Sequence, residues 1–182
     1  PPILLFGIII GTLPAALMGF FFKDSIQEFL HNPTVVAFAL GIVGALLWLV
    51  DRRFSESRGL DRIQLRDGFL IGVAQAFALV PGVSRSGATI IGARLLGLQK
   101  TDAARFSFLL GAPIMAGAVV LDFKNIIENL HRPVFYIGIV VAAGVGCVAI
   151  RFFLGFIERW GFAAFALYRI LIAVVIVSSQ YL

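Results

Sequence analysis

The sequence predicts an all-α integral membrane protein, built from five transmembrane helices and one re-entrant helical hairpin. Three observations carry this. First, 60% of the 182 residues are hydrophobic, only 14% are charged, and the mean hydropathy is +0.99, whereas soluble domains are nearer half apolar and a quarter charged. Second, the apolar runs approach the roughly 20 residues that cross a hydrocarbon core, and none shows the period-two alternation of barrel strands. Third, one polar turn, Pro81-Gly82-Val83-Ser84-Arg85-Ser86-Gly87, is embedded between two short apolar arms. The whole chain, 1–182, reads as a single membrane domain.

The elements follow in order. A first span is expected at 3–22. A second, at 34–50, follows Asn32-Pro33, where proline suits the first helical turn. A loop then carries Arg52, Arg53, Arg58, Arg62 and Arg66 together with Glu56, Asp61 and Asp67, which reads as a solvated ion-pair face. The segment 68–97 is different. Its first arm, 68–80, is about 20 Å long as a helix, too short to cross alone. Further spans are expected at 103–121, at 134–153 after Arg132-Pro133, and at 162–179.

Charge decides the path of 68–97. If it dips in and returns, ten basic residues (Arg52, Arg53, Arg58, Arg62, Arg66, Arg94, Lys100, Arg105, Arg151, Arg159) share one side, and Lys23, Lys124 and Arg132 make three on the other. If it crosses, the split is seven against six. The positive-inside rule selects the re-entrant hairpin. The same rule accounts for the net charge of +5 and the pI of about 10.0, so no nucleic-acid partner is called for. The single Cys147 excludes a disulfide within the chain. No signal peptide precedes the first span, and the chain begins Pro1-Pro2 rather than Met, which reads as a fragment or processed form. A faint echo relates Glu28, Leu30, His31 and Pro33 to Glu128, Leu130, His131 and Pro133; apolar helices match easily by composition, and nothing is built on it.

The central turn carries chemistry. Pro81 and Gly82 stop the first arm. Ser84 or Ser86 can cap the second. The start of that arm presents free N–H groups and the positive end of a helix dipole, a ready anion site. Arg85 adds a planar donor fork suited to phosphate oxygens. Gly87 lets a ligand approach the backbone, and Thr89 shares a helix face with Ser86. Together these form a phosphate or pyrophosphate cradle. The plainer reading is a polar kink with Arg85 snorkelling or paired to a carboxylate; an arginine at membrane depth argues for function. No nucleotide P-loop pattern occurs. Gln75, in the first arm, is expected to hydrogen-bond across the hairpin. Arg169, halfway along the last span, either reaches the phosphate site or pairs structurally. His31 and His131 lie in short loops beside prolines and read as interfacial residues. The 18 phenylalanines face lipid, pack helices or line a groove for an apolar tail.

The run Gln75-Ala76-Phe77-Ala78-Leu79-Val80-Pro81-Gly82-Val83-Ser84-Arg85-Ser86-Gly87-Ala88-Thr89 resembles the second signature of the bacterial undecaprenyl-diphosphate phosphatases, the bacitracin-resistance family. Phe106-Ser107-Phe108-Leu109-Leu110 and Tyr168-Arg169 are similar to that family too. The resemblance implies an inverted-repeat membrane fold in the bacterial inner membrane. It implies hydrolysis of a polyprenyl diphosphate to the monophosphate, which recycles the cell-wall lipid carrier. Ser84, Arg85, Ser86 and Thr89 then match catalytic, phosphate-handling positions, with Pro81, Gly82, Gly87, Gln75 and Arg169 around the substrate. A serine nucleophile stays open. The resemblance also implies a divalent cation, Mg or Ca, whose ligands, with the general base, belong to an amino-terminal signature of two glutamates, paired serines and a histidine. Nothing in this chain matches that signature, so roughly the first third of the family's length is expected to be absent, no metal ligands are expected here, and the chain alone is expected to be inactive. A homodimer is compatible with this reading. The rival reading is a transporter of a phosphate-bearing solute or lipid, using the same anion cradle; a duller one is an inert half-protein.

Overall fold

The computed structural model describes residues 2–29 and 32–180, with side chains at all of these except 23–29 and 125. The described residues form α-helices, short 3₁₀ turns and a single isolated β-bridge, with no strand among them. The helices are α1 (Pro2–Phe29), α2 (Pro33–Arg53), α3 (Leu65–Ala76), α4 (Arg85–Leu95), α5 (Lys100–Leu121), α6 (Phe123–Asn129), α7 (Pro133–Trp160) and α8 (Ala163–Ser179). Four stretches, Pro2–Phe22, Pro33–Arg53, Lys100–Leu121 and Pro133–Trp160, are long and apolar enough to cross a membrane. The fifth expected span is α8, apolar but only 17 residues long.

Sequence and structure differ at several helix ends. The span expected at 134–153 continues as α7 to Trp160. Its expected end marks a fall in hydrophobicity, but Arg151, Glu158 and Arg159 are good helix formers. The helix stops where Gly161 takes φ +67°, the left-handed C-terminal position that favours glycine. Similarly α1 passes the charged residues after Phe22 and ends at Phe29. The stretch after α5, expected as a loop, holds α6. His31 lies outside the described residues; His131 is exposed.

α3 and α4 form a helical hairpin whose two ends are tied together. The backbone N–H groups of Ser57 and Arg58 donate to the Gly97 carbonyl (3.1 and 3.0 Å), and Gln99 N–H donates to the Arg58 carbonyl (3.0 Å). Asp67 begins α3 by accepting from Gln64 N–H at 2.9 Å. The expectation that Asp67 belongs to a solvated face is corrected: it is 4% exposed and pairs with Arg58 at 3.1 Å. Arg58 also donates to the Leu96 carbonyl at 2.7 Å, closing the end of α4. Asp61 and Arg62 do form an exposed pair, 3.9 Å apart.

Arg94 is the side chain that composition hid. Counted among the loop basics, it is instead fully buried. Its guanidinium donates to the carbonyls of Leu98 (2.6 Å) and Phe54 (2.6 Å), joining the foot of the hairpin to the end of α2. Buried carbonyls need donors, and the arginine fork supplies several at once.

The hairpin is held laterally by glycine. A Cβ on Gly68 would strike the Gly7 backbone, and one on Gly72 would strike the Gly11 backbone. Gly7, Gly11, Gly68 and Gly72 are spaced four apart on each helix, so α1 and α3 approach backbone to backbone. A second tight pair is α2 with α8, where a Cβ on Gly44 would lie 3.0 Å from Ile170 and 3.1 Å from the Ala166 carbonyl. Behind α4, buried Val43, Leu47, Ile90, Ala104, Ile157 and Phe162 form one core cluster. Ile71, Ala93, Phe106 and Leu110 anchor another beneath α1 and α3.

This packing makes a prediction. Gly72→Leu must push α1 away from α3 and is expected to destabilise the fold by about 1–3 kcal/mol or more. Gly138→Leu, at a position where an added Cβ would meet nothing within 4 Å, is expected to leave stability unchanged. Thermal unfolding of both variants in detergent micelles checks the contrast.

Candidate functional site

The polar turn joins the two arms of the hairpin. After α3 a 3₁₀ turn, Phe77–Leu79, tightens the chain. Val83 N–H then donates to the Val80 carbonyl at 3.1 Å around Pro81 and Gly82. Proline at the first central position and φ +92° at Gly82 make this a type II-like turn that requires glycine. Gly82 is doubly constrained, since a Cβ there would lie 2.5 Å from the Val36 carbonyl on α2. Its observed role is to seat the turn on α2.

Ser84 begins α4. Its side chain accepts from Gly87 N–H at 3.3 Å, so of the two candidate caps the structure selects Ser84. Ser86 lies inside α4, with its hydroxyl 3.3 Å from that of Ser84. Ser84 also has φ +65° and ψ 122°, and it has the only positive φ among the described non-glycine residues. Such backbone conformations cost on the order of 1–3 kcal/mol and cluster where function needs a fixed geometry. The first N–H groups of α4, at Arg85 and Ser86, have no carbonyl one turn earlier to satisfy them. The turn therefore brings two hydroxyls together at the first N–H groups of α4.

Arg85 lies half-buried against α5. Its Nη1 donates to the Gly111 carbonyl at 3.3 Å. A Cβ on Gly111 would come within 2.9 Å of Nη2, so glycine at 111 makes the seat for this guanidinium. No carboxylate of the described residues is ion-paired with Arg85, which removes the reading of a hidden acid partner among them. Sequence reasoning misses Gly111; a glycine two residues before Pro113 in an apolar span is its one signal.

Other expected residues take different places. Thr89 is fully buried and shares a 2.6 Å hydrogen bond with Ser107 of α5, while also lying within hydrogen-bond distance of the carbonyls of Arg85 and Ser86. It ties α4 to α5 behind the turn. Ser107 sits within the Phe106-Ser107-Phe108 run, where nothing local marks its role. Gly87 is buried toward α2, where a Cβ would lie 3.1 Å from Val43, so the glycine serves helix packing here. The expectation for Gln75 is corrected. It is 2% exposed, and neither its amide nitrogen nor its amide oxygen has a hydrogen-bond partner among the described residues, so it makes no bond across the hairpin. Arg169 does reach the turn: its Nη2 donates to the carbonyls of Gly82 (2.6 Å) and Val83 (3.1 Å).

Among the described residues no three of His, Cys, Asp and Glu come together to hold a metal ion. These residues do not fit the divalent cation that the resemblance implies, and no step of the chemistry below passes through one.

A family model described as bacitracin resistance protein BacA matches residues 3–175. Among curated proteins, the undecaprenyl-diphosphatase of Thermomicrobium roseum is 42% identical over 180 residues, covering 93% of this chain and 65% of the relative. That of Moorella thermoacetica is 38% identical over 175 residues, covering 96% and 67%. That of Rubrobacter xylanophilus is 41% identical, covering 94% and 64%. The chain spans about two thirds of the length of these relatives.

The orphan amide generates a prediction. A buried polar group without a partner costs about 1–3 kcal/mol, and an apolar group of similar shape removes that cost. Gln75→Leu is therefore expected to raise the thermal midpoint of this chain. A lowered midpoint would show that the amide is satisfied in solution.

Proposed function

The chain belongs to the bacitracin resistance protein BacA family, and from that we propose that it serves the hydrolysis of undecaprenyl diphosphate to undecaprenyl phosphate and inorganic phosphate. The observation that carries the reading is the turn itself: the adjoining hydroxyls of Ser84 and Ser86 at the opening of α4, followed at once in the chain by Arg85, whose guanidinium rests on the Gly111 carbonyl and has no ion pair among the described residues. Phosphoryl transfer asks a protein mainly for position and for stabilisation of charge on phosphate oxygens. Water adds to the terminal phosphorus, and the bond from that phosphorus to the bridging oxygen breaks. Arg85 and the first N–H groups of α4 neutralise the charge that grows on these oxygens, while Ser84 and Ser86 donate hydrogen bonds. An open apolar groove of about 660 Å³ is lined by Leu13, Met18, Phe69, Val73, Phe77 and Val80, the last of which precedes Pro81 in the chain. In this reading it receives the part of the polyprenyl chain nearest the diphosphate.

The reading places the protein in the bacterial inner membrane, crossed by α1, α2, α5, α7 and α8. The 28 residues of α7 span about 42 Å, longer than the hydrocarbon core, so its charged end projects into the headgroups. The hairpin α3–α4 enters and returns on one side. Arms of 12 and 11 residues, the tied ends and, with Arg94 buried, a nine-to-three charge distribution support this path.

Two experiments test the proposal. Lysine keeps the charge of Arg85 but loses the bidentate fork. In a preparation that hydrolyses the lipid, Arg85→Lys is expected to lower the rate by about 10²-fold, the scale of one lost anion-stabilising donor. Phosphate release measures it, and a rate near wild type would refute the assignment. For the path, cysteines are placed at Arg62 and Gln99 after Cys147→Ala. Both are expected to react with an impermeant maleimide from the same side of the membrane. Reaction from opposite sides would show that 68–97 crosses.

A further inference from the structure

Arg169 stands out among the buried charges. It is half-buried midway along α8, and no carboxylate of the described residues pairs with it. An arginine in such surroundings is costly and needs a reason. Its Nη2 is spent on the two carbonyls, Gly82 and Val83, that immediately precede Ser84. Ser84 is the residue whose φ of +65° a serine rarely adopts.

These observations connect. Gly82 lies in the left-handed region by nature, but Ser84 does not. With the Gly82 and Val83 carbonyls drawn toward α8, the peptide planes entering Ser84 are held in one orientation. The same orientation directs the Ser84 side chain onto Gly87 N–H and leaves the N–H groups of Arg85 and Ser86 at the open start of α4. Without that pull, an ordinary negative φ at Ser84 would relieve the strain and re-aim the cap. A guanidinium is suited to the task, because a single planar nitrogen, Nη2, carries two N–H groups and here meets both acceptors.

We propose that Arg169 is a positioning residue: it acts on the anion through Ser84, by locking the backbone of the turn, and is not itself the phosphate ligand. The inference rests on the reading of this turn as a diphosphate cradle, but its conformational part stands apart from that reading and can be tested apart from it.

The test compares wild type with Arg169→Gln and Arg169→Lys in detergent micelles. Carbonyl-¹³C valine with ¹⁵N serine marks only the Val83–Ser84 and Val177–Ser178 peptides, so the Ser84 amide can be followed by NMR. Inorganic pyrophosphate is the binding probe. Arg169→Gln is expected to move the Ser84 resonance, leave Val177–Ser178 in place, and weaken pyrophosphate by about tenfold, the scale of a charged group displaced from its best geometry. Arg169→Lys, which still donates to carbonyls, is expected to restore much of the Ser84 shift and of the affinity. The unmoved Val177–Ser178 resonance guards against simple unfolding. If affinity falls while the Ser84 resonance stays in place, Arg169 is a direct ligand and the proposal is overturned. If neither changes, it is overturned as well. If Ser84 moves but the wild type itself binds no pyrophosphate, the conformational lock stands and the diphosphate reading fails.

Discussion

In this fold, every backbone group that leaves a helix inside an apolar bundle must find a partner there. Breaking the segment 65–95 into two arms releases carbonyls at its turn and at its feet. Arg169 takes two of them at the turn. Arg94 and Arg58 take those of Phe54, Leu96 and Leu98 at the feet. All three arginines bond backbone carbonyls, and only Arg58 also holds a carboxylate. The basic residues are thus structural before they are electrostatic. They hold open a polar site that hydrophobic packing alone would close.

Once the turn is held, the small residues around it bring the neighbouring helices close. Gly7 and Gly11 admit Gly68 and Gly72, Gly82 admits α2, and Gly111 admits the guanidinium of Arg85. In each case a methyl group would meet backbone or a fixed charge. Close packing therefore fixes two serine hydroxyls at a helix start and seats the neighbouring arginine on α5. The anion-binding capacity of the turn is a product of this crowding, since none of these groups would be fixed in an open loop.

The buried polar groups sort by whether they are satisfied. Thr89 and Ser107 complete each other at 2.6 Å and rigidify the join of α4 and α5. The Gln75 amide is completed by nothing described. Ser84 holds an unfavourable backbone angle. An unmet amide and a strained serine sit on either side of the same turn, where a local departure from good packing is most often tied to function.

Much was legible in the sequence because hydrophobic periodicity and helix punctuation act locally. The long apolar helices, the break at Pro81-Gly82, the two short arms and a serine cap at 84 or 86 all follow from residue type and spacing. What sequence order could not convey was which distant groups meet. Arg94 and Asp67 read as solvated loop charges until packing buried them. Gly87 gave no sign of its packing against Val43 of α2. Gln75 read as a bridging amide until no partner lay within reach, and Ser107 and the strained φ of Ser84 gave no local sign of their roles. A helix or a turn is decided within a few residues along the chain. The partner of a buried polar group is decided by helices many residues apart, and only the folded bundle sets those distances.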